Sequence, residues 1–461
     1  MKINIKFIYS LALLSLLLYS GCSKQNIADE LFDNSTDQRI KQQKAALKNL
    51  LISSESGWKM LYFTKNDEFG GFAFLMKFNA DNTVKMTSDV NRDTAVTTGK
   101  YTITLGSTLK LNFSTYNHIH KLTDSYTPAA LRGQGYKGSA EFLYYGNSND
   151  NMKFKSVRQV ASEKIIFQKA TEKDWDGLIA EAFENHNRLF SSNTYNSVYR
   201  GIRLSVNNSE DVYSFSFNKL KRYINISVKS SEGKNTNRSF GVGFAKNGFI
   251  SSPELKLKNQ IFTNFTWDVT SKKFISVNSN NAVAELLYLD APVVISDDYL
   301  LINNNKGGGH IRFSFTVEEP YLIDTPYTSA LFLDLFYKAR QNFINTQRGK
   351  EFYRFYIQFT EGSDKGRVRY RYYSGTKSYS IYHKFTYSVI NKKIVLHNNG
   401  WQDNNYTKSR EEALAPIDKM LFNQKGFYIE LLSETYNYSN PVYTFTSAED
   451  TRIRFPSWSY N

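Results

Sequence analysis

Short runs in which apolar and polar residues alternate recur along the chain and constrain its fold more than any other feature. The first runs occupy residues 58–63, 72–78, 84–88, 98–105, 109–113, 142–145, 152–157 and 164–168. Turn-forming pairs such as Asn66-Asp67 and Gly70-Gly71 separate them. Alternation places successive side chains on opposite faces of a strand, so that one face can be buried. Spacing of about ten residues per strand is typical of an antiparallel meander, in either a barrel or a sandwich.

The alternating pattern resumes in two further regions of the chain. Strands are predicted at 212–217, 223–228, 239–244 and 262–268, and then at 310–317, 353–359, 367–373, 378–387, 393–397, 427–432 and 442–446. Apolar residues at helical spacing predict helices from Ser35 or Thr36 onwards, at 171–190, at 329–344 and at 411–422, the last interrupted by Pro416. The predicted fold is mainly β, with two or three antiparallel barrel or sandwich modules, a lipocalin-like meander being one form, and a few short helices.

The length of the chain, 461 residues, exceeds what one ordinary core accommodates. Changes in pattern predict a signal peptide at 1–21, a tether at 22–35, an N-terminal helix with a β-meander at 36–170, a second β domain at 171–305 and a C-terminal α+β domain at 306–461. The helix that begins near residue 171 is interpreted as a linker between modules.

The N-terminus has the three parts of a secretory signal. Lys2 and Lys6 precede an apolar run over residues 7–19, and the small residues Ser20 and Gly21 follow. A helix needs about 20 apolar residues to cross the hydrocarbon core of a bilayer. The run is shorter than that, so it is typical of the core of a signal peptide and not of a stable membrane span.

Cys22, the only cysteine of the chain, directly follows this segment. The pattern resembles the bacterial lipobox, in which the cysteine is acylated and the signal peptide is removed, although Tyr19 stands where Leu, Val or Ile is usual. The alternative is a cysteine that happens to follow an ordinary signal peptide. A single cysteine cannot form an internal disulfide. We therefore expect lipidation at Cys22 and a protein anchored to the outer membrane, on its periplasmic face or at the cell surface.

The chain is basic, with a formal net charge of +15 that becomes +13 when Lys2 and Lys6 leave with the signal peptide. A basic protein attracts acidic glycans, anionic lipids or nucleic acid. The alternative is a compositional bias of an AT-rich genome, because the lysines are scattered and Asn, Tyr, Phe and Ile are abundant. No nucleic-acid partner is expected of an exported lipoprotein.

His118 and His120 are the weak candidates for a metal site. Their spacing would place both imidazoles on one face of a strand, a geometry that two ligands of one metal can have. No third ligand is evident in the sequence, so an exposed polar strand face is the alternative, and neither a metal nor another cofactor is expected. Neither a His-Glu-x-x-His helix nor a Gly-x-Ser-x-Gly elbow occurs, and no catalytic residue is predicted.

A hairpin rich in tyrosine and arginine is the candidate binding site. Alternation predicts that Val368, Tyr370 and Tyr372 share the core face of one strand, as do Tyr379, Ile381, Phe385 and Tyr387 on the next. The opposite face then carries Arg367, Arg369, Arg371 and Tyr373, with Tyr382 on the neighbouring strand. An exposed tyrosine can stack on a sugar ring, and arginines can pair with acidic groups. The alternative is an ordinary solvated face. Arg369, Arg371 and Tyr382 are the weak ligand-binding candidates.

Several stretches resemble an uncharacterised family of Bacteroidota lipoproteins, the domain of unknown function 4302, over about residues 25–300. The resemblance lies in Gly57-Trp58, Tyr62-Phe63, Gly70-Gly71, Lys77-Phe78, the run from Phe113 to Asn117, His120, Asp124, Gly138 and Glu141-Phe142. It implies an accessory lipoprotein encoded near a SusC/SusD-like nutrient-uptake pair, and it implies no catalytic residue.

These observations together predict a membrane-anchored envelope protein without catalytic activity. Its expected partners are the membrane, through the N-terminal lipid, an extracellular glycan or protein, and components of outer-membrane uptake. The alternatives are a hydrolase of glycans or peptides with an unrecognised site, and a structural or adhesive surface protein.

Overall fold

A computed structural model describes residues 35–158, 165–190, 197–229, 235–303, 311–323, 325, 327–402, 405–432 and 440–460. Within these ranges, three antiparallel sheets of eight strands each close into barrels. The predicted fold class is therefore confirmed, and the modules are barrels. The predicted signal peptide, Cys22, the tether up to residue 34 and His310 lie outside the described residues.

Barrel 1 follows the chain from neighbour to neighbour, and its last strand pairs with its first. Its strands are β1 Trp58–Phe63, β2 Gly71–Phe78, β3 Thr83–Ser88, β4 Thr97–Leu105, β5 Leu109–Phe113, β6 Glu141–Ser148, β7 Asn151–Ser156 and β8 Ile165–Lys169. Helix α1, Thr36–Ile52, precedes them and is capped by Ser35. Leu47 and Leu51 of α1 are buried, and the indole Nε1 of Trp58 donates to the Leu51 carbonyl at 2.7 Å. The predicted strands of this region are confirmed.

Barrel 2 follows helix α2, Glu172–Phe190, and closes in the same way. Its strands are β9 Tyr199–Val206, β10 Ser209–Asn218, β11 Tyr223–Lys229, β12 Asn235–Ala245, β13 Gly248–Leu257, β14 Gln260–Asp268, β15 Lys273–Val277 and β16 Val283–Leu289. The sequence pattern predicted four of these strands and missed β9, β13, β15 and β16. Gly201 and Pro253 interrupt the apolar pattern of β9 and β13, and β15 is only five residues long.

Barrel 3 is closed by a strand that the sequence pattern missed. Its strands are β17 Ile311–Thr316, β18 Lys350–Phe359, β19 Lys365–Ser374, β20 Lys377–Ile390, β21 Lys393–Trp401, β22 Phe427–Leu431, β23 Val442–Ser447 and β24 Arg454–Tyr460. Strand β24 pairs with β17 although it contains Pro456. The barrel strands of the chain occupy 58–169, 199–289 and 311–460, and the exact domain boundaries stay a prediction.

The remaining helices accompany barrel 3. They are α3 Leu300–Asn303, α4 Pro320–Ile323, α5 Ala330–Thr346 and α6 Lys408–Leu421, and two 3-10 helices, His118–Leu122 and Ala129–Leu131, lie in barrel 1. The predicted interruption of α6 at Pro416 is wrong, since the helix continues through it. Leu414, Ile417 and Leu421 are fully buried on this helix, and their burial offsets the hydrogen bond that the proline cannot donate.

Barrels 1 and 2 touch through glycines. The amide of Gly70 donates to the Lys221 carbonyl at 2.8 Å. A Cβ atom at Gly70 would lie 2.3 Å from the Arg222 carbonyl oxygen, and one at Gly241 would lie 2.8 Å from the Gly70 Cα. The two backbones are therefore too close for any side chain at these positions.

A buried ion pair crosses the same contact. Arg222 of barrel 2 donates to the Asp89 carboxylate of barrel 1 at 2.7 Å and to the Gly71 carbonyl at 2.8 Å. The two side chains are 5% and 1% exposed. The amide of Ala73 donates to the other oxygen of Asp89 at 2.8 Å, so the carboxylate has partners on both sides. This pairing fixes how the two barrels are oriented relative to each other.

We expect Asp89→Asn to lower the free energy of unfolding by about 3–5 kcal/mol, because it leaves the Arg222 charge buried without a counterion. The matched control is Glu141→Gln, which breaks the partly exposed pair that Lys110 and Glu141 form at 2.9 Å. A pair of that kind contributes about 0–1 kcal/mol. Urea denaturation measures both variants. Equal, small effects would show that the Asp89–Arg222 contact does not hold the barrels together.

Candidate functional site

The hairpin of β19 and β20 separates its side chains as the alternating pattern predicted. Val368, Tyr370 and Tyr372 point into barrel 3 and are at most 3% exposed. Ile381 and Phe385 of β20 are buried opposite them, which confirms the predicted core face. Tyr379 is the exception: it was predicted to belong to the core and is 38% exposed, because it lies at the end of the hairpin beside the turn.

The outer surface of β18, β19 and β20 carries a lattice of arginines and tyrosines. We call it the arginine–tyrosine face and define it by Arg354, Tyr356, Arg367, Arg369, Arg371 and Tyr382. The strand register sets it out in rows. Tyr356 and Tyr382 are the Cα partners of Arg369 on its two sides, and Arg354 is the partner of Arg371. The structure thus brings the predicted residues Arg369 and Tyr382 directly together and places Arg371 two residues further along β19.

Rings and guanidinium groups stack on one another across this face. The guanidinium carbon of Arg367 lies 4.6 Å from the centroid of the Tyr382 ring, and that of Arg369 lies 5.9 Å from it. Arg369 also lies 5.7 Å from the Tyr356 ring. Cation–π contacts of this kind, together with the planar shape of the guanidinium group, favour flat stacking.

Neutral side chains hold the three arginines of β19 in place. Nε of Arg367 donates to Gln358 Oε1, and Nε of Arg369 donates to Ser380 Oγ, both at 2.8 Å. An Nη2 donor of Arg371 binds a serine hydroxyl, Ser378 Oγ, at 2.8 Å. Each guanidinium is therefore oriented by a partner that does not neutralise it.

The side chains that define the face include four arginines and no carboxylate. Among the residues that the structure describes, no carboxylate forms an ion pair with Arg367, Arg369 or Arg371. Arg354, at the edge of the face, forms an ion pair with Glu318 at 3.6 Å. Burial acts to raise the pKa of Tyr356, but the hydrogen bond and charge of Arg354 and the charge of Arg371 outweigh it. The pKa of Tyr356 therefore lies below its ordinary value.

Sequence reasoning missed the contribution of β18. Arg354 and Tyr356 alternate within the predicted strand 353–359, which is the one local signal of an outward polar face. Their place beside β19 depends on the register of β18 with β19, which shifts by a bulge between Phe352 and Arg354. A bulge of this kind re-aims the side chains that follow it.

The prediction that His118 and His120 share a strand face is wrong. Both belong to the 3-10 helix His118–Leu122, which Asn117 caps. Nδ1 of His118 contacts Ser88 Oγ at 3.0 Å and its Nε2 contacts the Ala95 carbonyl at 2.7 Å. Nε2 of His120 contacts the Phe113 carbonyl at 3.1 Å. The rings thus hold the loop between β5 and β6 against barrel 1.

In the described part of the chain, the His, Cys, Asp and Glu side chains form no group of three or more that could hold a metal ion. Within the same ranges, no helix combines the length and the apolar character needed to cross a membrane.

A second cluster of titratable groups lies inside barrel 3, around His383. The imidazole is 1% exposed and lies between Trp401 and Phe422, with ring centroids 4.3 Å and 4.2 Å away. Its Nδ1 is 2.8 Å from Asp418 Oδ1 on helix α6, and its Nε2 is 2.8 Å from Asn398 Oδ1.

The hydrogen bonds of this cluster define the charge of His383. The amide of Gly400 donates to Asn398 Oδ1 at 2.8 Å, which identifies that atom as the amide oxygen. Both ring nitrogens of His383 then face acceptors, so both carry protons. Burial opposes this charge. The hydrogen bond to Asp418 and its negative charge outweigh burial and raise the pKa of His383. The pair fastens α6 to the barrel, and its two side chains, His383 and Asp418, are 1% and 14% exposed.

The family model described as a domain of unknown function (DUF4302) matches residues 28–269, more than half of the chain. The matched range covers α1, barrel 1, α2 and barrel 2 as far as the end of β14. It leaves out β15 and β16, which complete barrel 2, and all of barrel 3. No curated protein matches the chain.

The ion pair of His383 predicts a loss of stability in alkaline solution. The pKa of His383 is raised on folding, so its contribution to stability is complete below the ordinary histidine pKa and is lost as the pH rises through the raised value. The contribution is about 1.4 kcal/mol for every tenfold strengthening of proton binding on folding.

The measurement is urea denaturation of the native protein and of His383→Gln from about pH 5 to about pH 9. The other histidines titrate in both proteins, so the difference between the two curves isolates His383. We expect that difference to shrink as the pH rises. A difference that does not change with pH would mean that His383 is uncharged in the folded protein.

Proposed function

The chain belongs to the DUF4302 family, whose function is unknown, and we propose that it is a lipid-anchored envelope protein that captures an acidic extracellular polymer. Capture takes place on the arginine–tyrosine face of barrel 3 and leaves the polymer unaltered. The observation that carries this proposal is the set of three guanidinium groups of β19, which neutral partners orient and no carboxylate of the described residues neutralises.

The chemistry of the face suits an acidic ligand. A guanidinium group can bind a carboxylate or a sulfate through two parallel hydrogen bonds, which adds geometric specificity to charge. The rings of Tyr356 and Tyr382 on either side of Arg369 offer stacking surfaces and hydroxyl groups. A positive face also speeds the encounter with an acidic polymer.

The anchor places this face outside the inner membrane. Cys22 follows a positively charged segment, an apolar run and two small residues, as in a lipoprotein signal. Acylation of its thiol and removal of residues 1–21 leave the barrels attached to the outer membrane, on its periplasmic face or at the cell surface.

The partner system of the anchored protein is an uptake complex. The resemblance to accessory lipoproteins of Bacteroidota encoded beside SusC/SusD-like nutrient-uptake pairs supports this part of the proposal. In that role the protein holds the acidic polymer near the transporter and raises its local concentration. A neighbouring pair of uptake genes would support this role.

Loss of two arginines should weaken capture without unfolding the protein. We expect Arg369→Gln/Arg371→Gln to reduce the affinity for an acidic glycan about 100- to 10,000-fold, because each arginine loses at least one charged hydrogen bond that contributes about 1.5–3 kcal/mol. The control is Arg92→Gln/Arg238→Gln, which removes the same charge at exposed positions of barrels 1 and 2. Calorimetric titration of the protein with a panel of acidic glycans measures the affinity. An equal loss of affinity in both double variants would show that only the net charge of the protein matters and would exclude this face as the binding site.

Tyr382→Ala should weaken retention of the same ligand while leaving the thermal midpoint nearly unchanged, because the ring stacks on Arg367 at the surface. The matched control is Tyr126→Ala, at a tyrosine that is 72% exposed on barrel 1. A large fall in the midpoint of Tyr382→Ala would identify the ring as structural.

Replacing the anchoring thiol should abolish anchoring at the outer membrane. We expect Cys22→Ser to incorporate no labelled fatty acid, since no acceptor for the lipid is left, and to accumulate as a precursor that keeps residues 1–21 and is missing from the outer-membrane fraction. Fractionation and mass spectrometry measure both effects. An unmodified sulfur in the native protein, or processing that globomycin leaves unchanged, would contradict the anchor.

A further inference from the structure

We infer that the acidic polymer is a linear anionic glycan and that it lies lengthwise along β19. This inference rests on the proposed function and specifies the ligand of the same face. It depends on the direction in which the charges of the face are aligned, on the rings beside them and on the pairing of β19 with its neighbours.

The arginines of the face that no carboxylate of the described residues neutralises form a line and not a cluster. Arg367, Arg369 and Arg371 occupy alternate positions of one strand, so all three side chains leave the same face of it. A strand rises about 3.3–3.4 Å per residue, which places successive arginines roughly 7 Å apart and the outer two roughly 13 Å apart. A single anion reaches one of these positions, whereas a chain with anionic groups at intervals reaches all three.

Two tyrosine rings border the middle of this line. Tyr356 on β18 and Tyr382 on β20 are the Cα partners of Arg369. Their ring centroids lie 5.7 Å and 5.9 Å from its guanidinium carbon. A chain that crosses Arg369 therefore contacts aromatic surface on both sides. Sugar rings present apolar C–H faces to such surfaces, and their anionic substituents meet the guanidinium groups between them.

The donors that remain on the arginines suit carboxylates or sulfates. Nε of Arg367 is used to bind Gln358, and Nε of Arg369 is used to bind Ser380. The two Nη groups of each side chain are the edge that is left for a bidentate contact. Both anionic groups have the oxygen pair that this edge binds, so carboxylated and sulfated glycans share the recognition chemistry.

An extended acidic peptide fits this surface less well. Extended peptides dock mainly through main-chain hydrogen bonds to the free edge of a sheet. Strand β19 is paired along its length with β18 on one side and β20 on the other. Its main-chain groups are already bonded, and recognition has to come from side chains alone.

The test combines ligand length with the position of the substitution. The purified protein is titrated with oligogalacturonates from monomer to octamer, with sulfated oligosaccharides of the same lengths and with neutral maltooligosaccharides. We expect the affinity for the anionic series to rise about tenfold or more from the monomer to the chain that first spans the three arginines, and then to level off. The series that shows this rise identifies the anionic group.

The position of the substituted arginine adds a second criterion. Arg369→Gln, in the middle of the line, should weaken binding at every length. Arg367→Gln, at one end of the line, should leave the affinity for short chains unchanged. For longer chains the affinity should level off at a shorter length, at a value about tenfold lower than in the native protein. The control is Arg238→Gln, which removes one exposed charge from barrel 2 and should leave the whole length series unchanged.

Three outcomes separate this inference from the proposed function. The affinity could be independent of ligand length, and Arg367→Gln and Arg369→Gln could lower it equally. That result overturns the inference of a linear ligand but keeps the proposal that this face captures acidic ligands. Binding of an acidic protein alone, lost in Arg369→Gln, also overturns the glycan and keeps capture. Absence of binding to any acidic ligand overturns both.

Discussion

Aromatic packing inside the barrels decides where this protein can recognise anything. An eight-stranded barrel has an interior just wide enough for side chains to fill, and here buried rings occupy it. In barrel 1, Phe113 and Phe142 meet at 6.0 Å; in barrel 2, Phe249 and Phe265 stack at 4.6 Å; in barrel 3, Phe445 and Phe455 stack at 5.4 Å. Barrels with such interiors are packed cores. The chemistry open to solvent therefore has to reside on their outer surfaces, in their loops and at their junctions.

The same alternation that fills barrel 3 produces its outer face. Each tyrosine of β19 that points inward, Tyr370 or Tyr372, directly follows an arginine that points outward. Tyr370 donates to Asp418 on α6 at 2.6 Å and thereby joins the buried cluster of His383, while Arg369 and Arg371 beside it reach the surface. One short segment thus supplies both packed core of the barrel and positive charge on its outer face. Rigid strands position recognition groups more precisely than loops do.

The parts of this structure that the sequence predicts are those that depend on local pattern. Strands β1 and β5 begin and end where the alternation does, and Arg369 and Tyr382 are placed outward by the same period of two. Strand β24 was missed because Pro456 and the serines of the strand interrupt the apolar alternation. Its pairing with β17, far away in sequence, depends on the closure of the barrel. Arg354 and Tyr356 joined the site only through the register of β18. That no carboxylate among the described residues pairs with the arginines of β19 is a property of the folded surface. His118 was misassigned because its spacing from His120 was interpreted as that of a strand, whereas Asn117 caps a 3-10 helix that begins at His118.

The closure of barrel 2 has a practical consequence for any attempt to isolate part of this molecule. The family match stops at residue 269, yet β9 finds its second neighbour only in β16, which ends twenty residues later at Leu289. A fragment cut at the end of the match would keep β14 and β9 with bare edges, each a template for strands of other molecules and hence for aggregation. The shortest N-terminal fragment that includes barrel 2 and leaves no such edges extends through Leu289, so the boundary for expression is a matter of hydrogen-bond topology and not of sequence similarity.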